Sequence, residues 1–341
     1  MRQHFSRSWH HRNAVIDPLR HEVFVLAFEV RAGRAVHYLY GLDERSGVLR
    51  LAEAIPTPTR DQRPYLNRSG LALSHGRVIY TFGGNYGDCG EYHGVVGAVS
   101  EAGKSRPLSF VIDSGPGQRE GAVWMGGAAP AIDAAGNVWV TSSNGSVTSP
   151  HQRYDRSDGV LELTGTMHLK SYFAPANWRA DNATEADLAS EPALLGHGVV
   201  VAIGKSGYVY VLRTANLGGI GHELAVINSR CGNVLVGGVA IVSSVVYLPC
   251  RSGTEALGVS TNPVGLSILW RSVAGSGPPI VAGSRVWSID GGVLYGLNLN
   301  TGAMMQRANL GEEANHFATP AVGDGLLIAP RSRSVIAFAG V

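Results

Sequence analysis

The stretches LYGLDERSGVL (residues 39–49) and LYGLNLNTGAM (residues 294–304) lie at opposite ends of the chain, yet agree at Leu, Tyr, Gly, Leu and a second Gly. Each reads as a strand, a tight turn and a second strand. Asp43 or Asn298 stands where a side-chain oxygen can accept hydrogen bonds from the backbone ahead. Gly47 or Gly302 stands where the turn needs positive φ. VYVLRTANLGG (residues 209–219) is a looser third copy.

A second phrase accompanies these: a small residue or proline, an apolar strand, a glycine-centred turn, then another apolar strand. It recurs seven times, as NAVIDPLRHEVFVLAF from Asn13, SGLALSHGRVIYTFGG from Ser69, AAPAIDAAGNVWVTSS from Ala128, SEPALLGHGVVVAIGK from Ser190, GGVAIVSSVVYLPCRS from Gly237, GPPIVAGSRVWSIDGG from Gly277 and ATPAVGDGLLIAPRSR from Ala318. Starts about 40 to 60 residues apart match the period of a four-stranded propeller blade. One such blade cannot bury both its faces, but blades stacked in a ring cover each other. The small-residue phrase then forms the innermost strand, where blades converge. The competing architecture is one or two two-sheet sandwiches.

The expectation is therefore an all-β fold, a β-propeller of about seven four-stranded blades over residues 13–341. The last blade runs out of chain after three strands, so residues 8–10 of the N-terminal segment (residues 1–12) are expected to complete it. WRADNATEADLAS (residues 178–190), between blades, has the pattern of a short helix, with Asn182 or Thr184 as caps.

Composition agrees. The chain has 341 residues, 45 of them glycine and 16 proline, which describes a folded, turn-rich protein. Lys plus Arg number 28 against 26 Asp plus Glu, so neither a basic face for nucleic acid nor an acidic tail is advertised. The basic N-terminus leads into no apolar core of a signal peptide, and no long apolar run reads as a membrane span. Three cysteines, Cys89, Cys231 and Cys250, allow one internal disulfide and leave one thiol over.

With these phrases in hand, the chain resembles the PQQ-like (quinoprotein-like) β-propeller repeat family, whose blade motif ends Tyr-Ala-Leu-Asp, two residues, Thr-Gly, and then Trp. RVIYTFGGNYGDCGEYHGVVGAV, DGVLEL, EADLASEPALL, GKSGYVYVLRTANLGG and VYLPCRSG look like segments of secreted propellers of this kind from high-GC bacteria. The resemblance covers the chain from about Asn13 onward and implies an extracellular or cell-envelope location. Relatives usually begin earlier, with an export signal and often a further blade, so a full-length relative has room for eight. Two departures bear on function. Leu51 and Gln306 stand where the family has its interlocking Trp, and the chain lacks the adjacent cysteine pair and the calcium constellation of true quinoprotein dehydrogenases. The resemblance thus brings the fold without bringing PQQ as a cofactor.

Several clusters invite chemistry. NYGDCGEYHG (residues 85–94) holds Asp88, Cys89, Glu91, Tyr92 and His93 in a loop inserted between two strands of one blade. A metal site there lacks a second Cys/His pair at zinc spacing, and a Cys89 nucleophile lacks a positioned base. A structured loop with polar turns fits better, and Asp88, Tyr92 and His93 remain ligand candidates. Cys231 and Cys250, one before and one after a strand hairpin, are either a disulfide or two buried thiols. GKS (residues 204–206) is read as a hairpin turn, since a strand follows where a phosphate loop needs a helix. Asp181, Glu185 and Asp187 read as a solvated acidic face. Propeller ligands approach the channel mouth, just before the innermost strands; Arg68, Trp124, Glu191, Asn315 and His316 sit at that level.

No catalytic constellation and no metal site stand out. The expected function is a non-catalytic binding or scaffold module, a monomer that takes an unidentified protein or small molecule at the channel mouth. A PQQ-dependent dehydrogenase with cofactor in the channel is the runner-up, and a scaffold that binds peptide strands along a blade edge is a third possibility.

Overall fold

The computed structural model describes residues 14–85, 88–103, 105–188, 190–229, 231 and 237–340. They form seven sheets, antiparallel within each blade, at residues 15–55, 65–111, 131–174, 193–228, 240–272, 280–309 and 321–339. Each of the seven small-residue phrases supplies two paired strands of its sheet, preceded in blade 2 by the short strand Tyr65–Leu66, and the protein is a seven-bladed β-propeller. Residues 8–10, offered as a closing strand, lie outside the described residues; blade 7 shows three strands, Ala321–Gly323, Leu326–Arg331 and Ser334–Ala339. Ile16 of blade 1 and Val322 and Val335 of blade 7 are exposed apolar residues at this end of the ring.

Side-chain alternation explains the ring. Successive residues of a strand face opposite sides of the sheet, and here both sides are apolar. In the second strand of blade 4, Val199–Ile203, the side chains of Val199, Val201 and Ile203 pack with Val246, Leu248 and Leu257 of blade 5. Val200 and Ala202 turn the other way, onto Trp139, Val160 and Phe173 of blade 3. The same division joins blades 1 and 2 through Phe24, Leu39, Tyr80 and Phe82. Val138 and Val140 join blade 3 to Ile79 and Val96 of blade 2, and Trp287 and Leu294 join blade 6 to Leu327 and Ala329 of blade 7. Each fully buried side chain of this kind contributes about 1.5–3 kcal/mol. A one-residue slip of register would exchange the two interfaces of a blade at once.

The repeated Leu-Tyr-Gly-Leu has a packing reason. Gly41 lies directly opposite Phe24, and Gly296 directly opposite Trp287. The aromatic ring folds over the glycine, so a Cβ there would stand 2.9 Å from Phe24 or 2.7 Å from Trp287. Gly97 and Tyr80 repeat the pairing in blade 2. The turns form as their residues predict. Asp43 Oδ1 accepts the N–H groups of Arg45 and Ser46, and Asn298 Oδ1 accepts those of Asn300 and Thr301. Gly47 and Gly302 have φ of 67° and 69°.

Where the family motif has Trp, Leu51 reaches from the outer strand of blade 1 onto Gly103 in a turn of blade 2. Trp270 of blade 5 does the same onto Gly302 of blade 6, its Nε1 donating to Leu299 O at 3.1 Å. The interlock between neighbouring blades therefore survives at blade 5 through a tryptophan the blade motif did not single out. Blade 3 gains a further, parallel strand, Gly219–Ile220, from a loop of blade 4, which covers part of its outer edge.

The helix forms as Trp178–Thr184, between blades 3 and 4, shorter than the pattern indicated. Neither Asn182 nor Thr184 caps it; Asn177 occupies the N-cap. Asn182 is instead buried, accepting from Gly145 N and donating to Val147 O and Ser157 Oγ. Among the described residues no helix is long and apolar enough to cross a membrane. Cys231 and Cys250 form a disulfide in blade 5, with Cα atoms 5.2 Å apart, and Cys89 is outside it and exposed.

Candidate functional site

Antiparallel order inside each blade sends the second-to-third connections and the blade-to-blade connections to the same end of the strands. All eight candidate ligand residues fall on these connections, so they share one face of the ring. The structure separates them into two groups.

The first lies at the channel mouth. Arg68 precedes the innermost strand of blade 2 and is partly buried. Its guanidinium stands 5.2 Å from the ring centre of Trp124, which precedes blade 3, and 4.2 Å from that of Phe317, which precedes blade 7. Among the described residues it has no ion pair with a carboxylate. Burial lowers the Arg68 pKa, and Asp187 opposes that shift from a distance. Trp124 is pinned because Gly83 leaves room for its ring, and it leads into Met125 and Gly126, both at positive φ. Asn315 holds the turn that presents Phe317, its Oδ1 accepting Phe317 N at 3.0 Å, while the His316 ring lies 3.8 Å from that of Phe317. Phe317 was not a sequence candidate. The available signal was its place, an aromatic just ahead of a small-residue phrase, as Trp124 is.

Glu191, before blade 4, turns its Oε1 to Val239 N of blade 5 at 3.0 Å. Burial pushes its pKa up to about 7, with the Val239 N–H acting the other way. A Cβ on Gly238 would stand 3.5 Å from Glu191 and 3.7 Å from Ala128 of blade 3. Small residues thus let the inner ends of blades 3, 4 and 5 approach one another.

The second group is the loop of blade 2, of which Tyr86 and Gly87 lie outside the described residues. Tyr92 points inward over Gly84 and is buried, its hydroxyl donating to Asp88 Oδ1 at 2.7 Å. Burial and then the Asp88 carboxylate raise the Tyr92 pKa above the usual tyrosine range. His93 Nδ1 is 3.3 Å from Asp113 Oδ1. Asp113, missed by sequence, also accepts Gly94 N and Gly121 N; burial raises its pKa against those bonds and His93. The loop's polar groups therefore serve mainly to hold the loop. Among the described residues no three His, Cys, Asp or Glu side chains converge as metal ligands.

The expected solvated acidic face is corrected. Glu185 is exposed, as the left-handed cap of the helix, but Asp181 and Asp187 are buried beneath it. Asp187 forms an ion pair with Lys205, Nζ to Oδ1 2.5 Å. GKS is the hairpin turn expected of it, with Gly207 N donating to Gly204 O, and its lysine neutralises a buried acid of the preceding blade connection. Burial raises both carboxyls, Asp181 to about 6.

No protein-family model matches the sequence, and no curated protein matches it. Solved structures do. BamB from Moraxella catarrhalis superposes with a TM-score of 0.64 at 14% identity, over 96% of this chain and 84% of that one. The quinohemoprotein alcohol dehydrogenase from Comamonas testosteroni superposes with a TM-score of 0.63 at 14% identity, over 91% of this chain, which spans 61% of the dehydrogenase's length. Both are PQQ-like β-propellers, and the shared feature is the fold of the ring.

Proposed function

We propose that this chain is a non-catalytic binding or scaffold protein of the cell envelope or secreted space, engaging a ligand or protein partner at the channel mouth around Arg68. The observation that carries the proposal is the state of Arg68: a cation clamped between Trp124 and Phe317 and left without a carboxylate. A guanidinium held this way binds anionic or aromatic groups through charge and stacking. In the blade 2 loop Tyr92 is paired with Asp88 and His93 with Asp113, Tyr92 and Asp113 being buried. The Cys231–Cys250 disulfide favours an oxidising compartment.

The residues fit a quinone with its calcium poorly. Glu191, the acid at the mouth, is turned to a backbone N–H. The test combines two measurements on the purified native protein. Capture from envelope extracts is expected to retain a partner that Arg68→Gln and Trp124→Ala variants lose. Addition of PQQ and calcium is expected to give no dye-linked alcohol oxidation. Quinone absorbance in the purified protein, or dye reduction on reconstitution, would assign it a redox role instead.

A further inference from the structure

A cavity of about 540 Å³ opens on the same face, away from Arg68, between the connection that leads from blade 2 to blade 3 and the long loop inside blade 3. That volume is in the range of small-molecule sites, roughly 300–1,000 Å³. Its walls include Ser114, Pro116, Gln118, Arg153, Tyr154 and Arg156, and no carboxylate lines it.

The two arginines are set up differently. Arg156 is a built feature: its backbone is at φ 68°, and its Nη1 donates to Ile112 O at 3.0 Å and approaches Ser114 Oγ at 3.5 Å. Those contacts fix the guanidinium without neutralising it. Arg153 is exposed, and its backbone carbonyl is held by Gln118 Nε2. Among the described residues neither arginine pairs with an acid. The acids next to them in sequence do not reverse this. Asp155 is turned into the blade, its Oδ1 accepting from Ser157, and Asp158 is fully buried; burial drives both toward the neutral form. A third guanidinium, Arg179, ties the loop from below through Ser149 O and Gln152 O. Tyr154 is locked under the cavity by its hydroxyl on Ser157 O and by edge contact with Trp178.

We propose that this cavity binds a small organic oxyanion, a carboxylate or phosphate ester of about sugar size, held by Arg153 and Arg156 and seated against Tyr154. Planar guanidinium groups suit both oxyanions, and the space beyond them accommodates more than a bare ion. The site is separate from the channel mouth and stands or falls independently of it.

Calorimetric titration of the intact protein at low salt, with glucose 6-phosphate, glucuronate and glucose as probes, tests it. At least one of the two anions is expected to bind at one site per chain, more weakly as salt is raised, and glucose is not. Arg153→Gln should weaken that binding about tenfold or more. This exposed substitution leaves the Arg156 anchor intact, so the result does not hinge on a variant that fails to fold. Arg68→Gln should leave the affinity unchanged. If neither anion binds, if glucose binds equally well, or if Arg153→Gln has no effect, the assignment is wrong.

Discussion

Replacing Lys205 by Met tests whether the buried Asp187 is held as a charged partner. Asp187 is 1% exposed and Lys205 is the cation within contact of it, at 2.5 Å. Burial raises the Asp187 pKa and Lys205 is the largest influence lowering it, so removing the lysine leaves the upward push opposed only by the Ser143 hydroxyl and a backbone hydrogen bond. Breaking such a pair costs about 3–5 kcal/mol when one charge is left behind. The carboxyl can escape by taking a proton, which limits the loss. From an unfolded pKa of about 3.9, at about 1.4 kcal/mol per pH unit, that ceiling is about 4 kcal/mol at pH 7 and about 1.5 kcal/mol at pH 5. The sign follows: an acid whose folded pKa exceeds its unfolded value is stabilising below the unfolded pKa and loses that stability as pH rises through the folded one. The deficit of Lys205→Met should therefore shrink as pH falls. Urea unfolding followed by tryptophan fluorescence between about pH 5 and 8 measures it, and adding Asp187→Asn should restore most of the stability. A deficit below about 1 kcal/mol at pH 7, or one that does not vary with pH, would refute a charged, mutually dependent pair.

Other outcomes follow from single positions. Gly302→Ala must meet both a positive φ and the Trp270 ring, 2.4 Å from the new Cβ, and should lose about 2–4 kcal/mol in denaturant unfolding. Gly325→Ala, with φ 71° and open space, should lose only about 1 kcal/mol. Glu191, raised to about 7, contributes stability below its ordinary value of 4.5 that is lost as pH rises through about 7; Glu191→Gln should flatten the urea midpoint against pH over that window. Reducing the Cys231–Cys250 bond, which spans 19 residues, should cost about 3 kcal/mol, and thiol labelling of the native protein should count one reactive cysteine.

The repeat was legible because its causes are local. A glycine facing an aromatic across one hairpin, a side chain bonding two residues ahead, and a two-residue alternation all lie within one blade, so Gly41, Asp43 and Val199–Ile203 declare themselves in sequence order. NYGDCGEYHG shows what the sequence left open. Reactive residue types crowd there, but whether Tyr92 points out or in depends on Gly84 beneath it and on Asp88, and His93 meets Asp113, which follows the neighbouring outer strand. Loop side chains have no period to read.

Sequence by itself determined the all-β architecture, the seven inner strands, the hairpin turns and the pair of cysteines able to bridge. Only the tertiary structure decided that Asp187 is buried against Lys205, that Arg68 rests between Trp124 and Phe317, and that Arg153 and Arg156 share a cavity without an acid. The reason is geometric. Strand pairing is set by neighbours a few residues apart, whereas the face of the ring gathers connections from blades that the chain reaches one after another, and their charges meet only once the ring has formed.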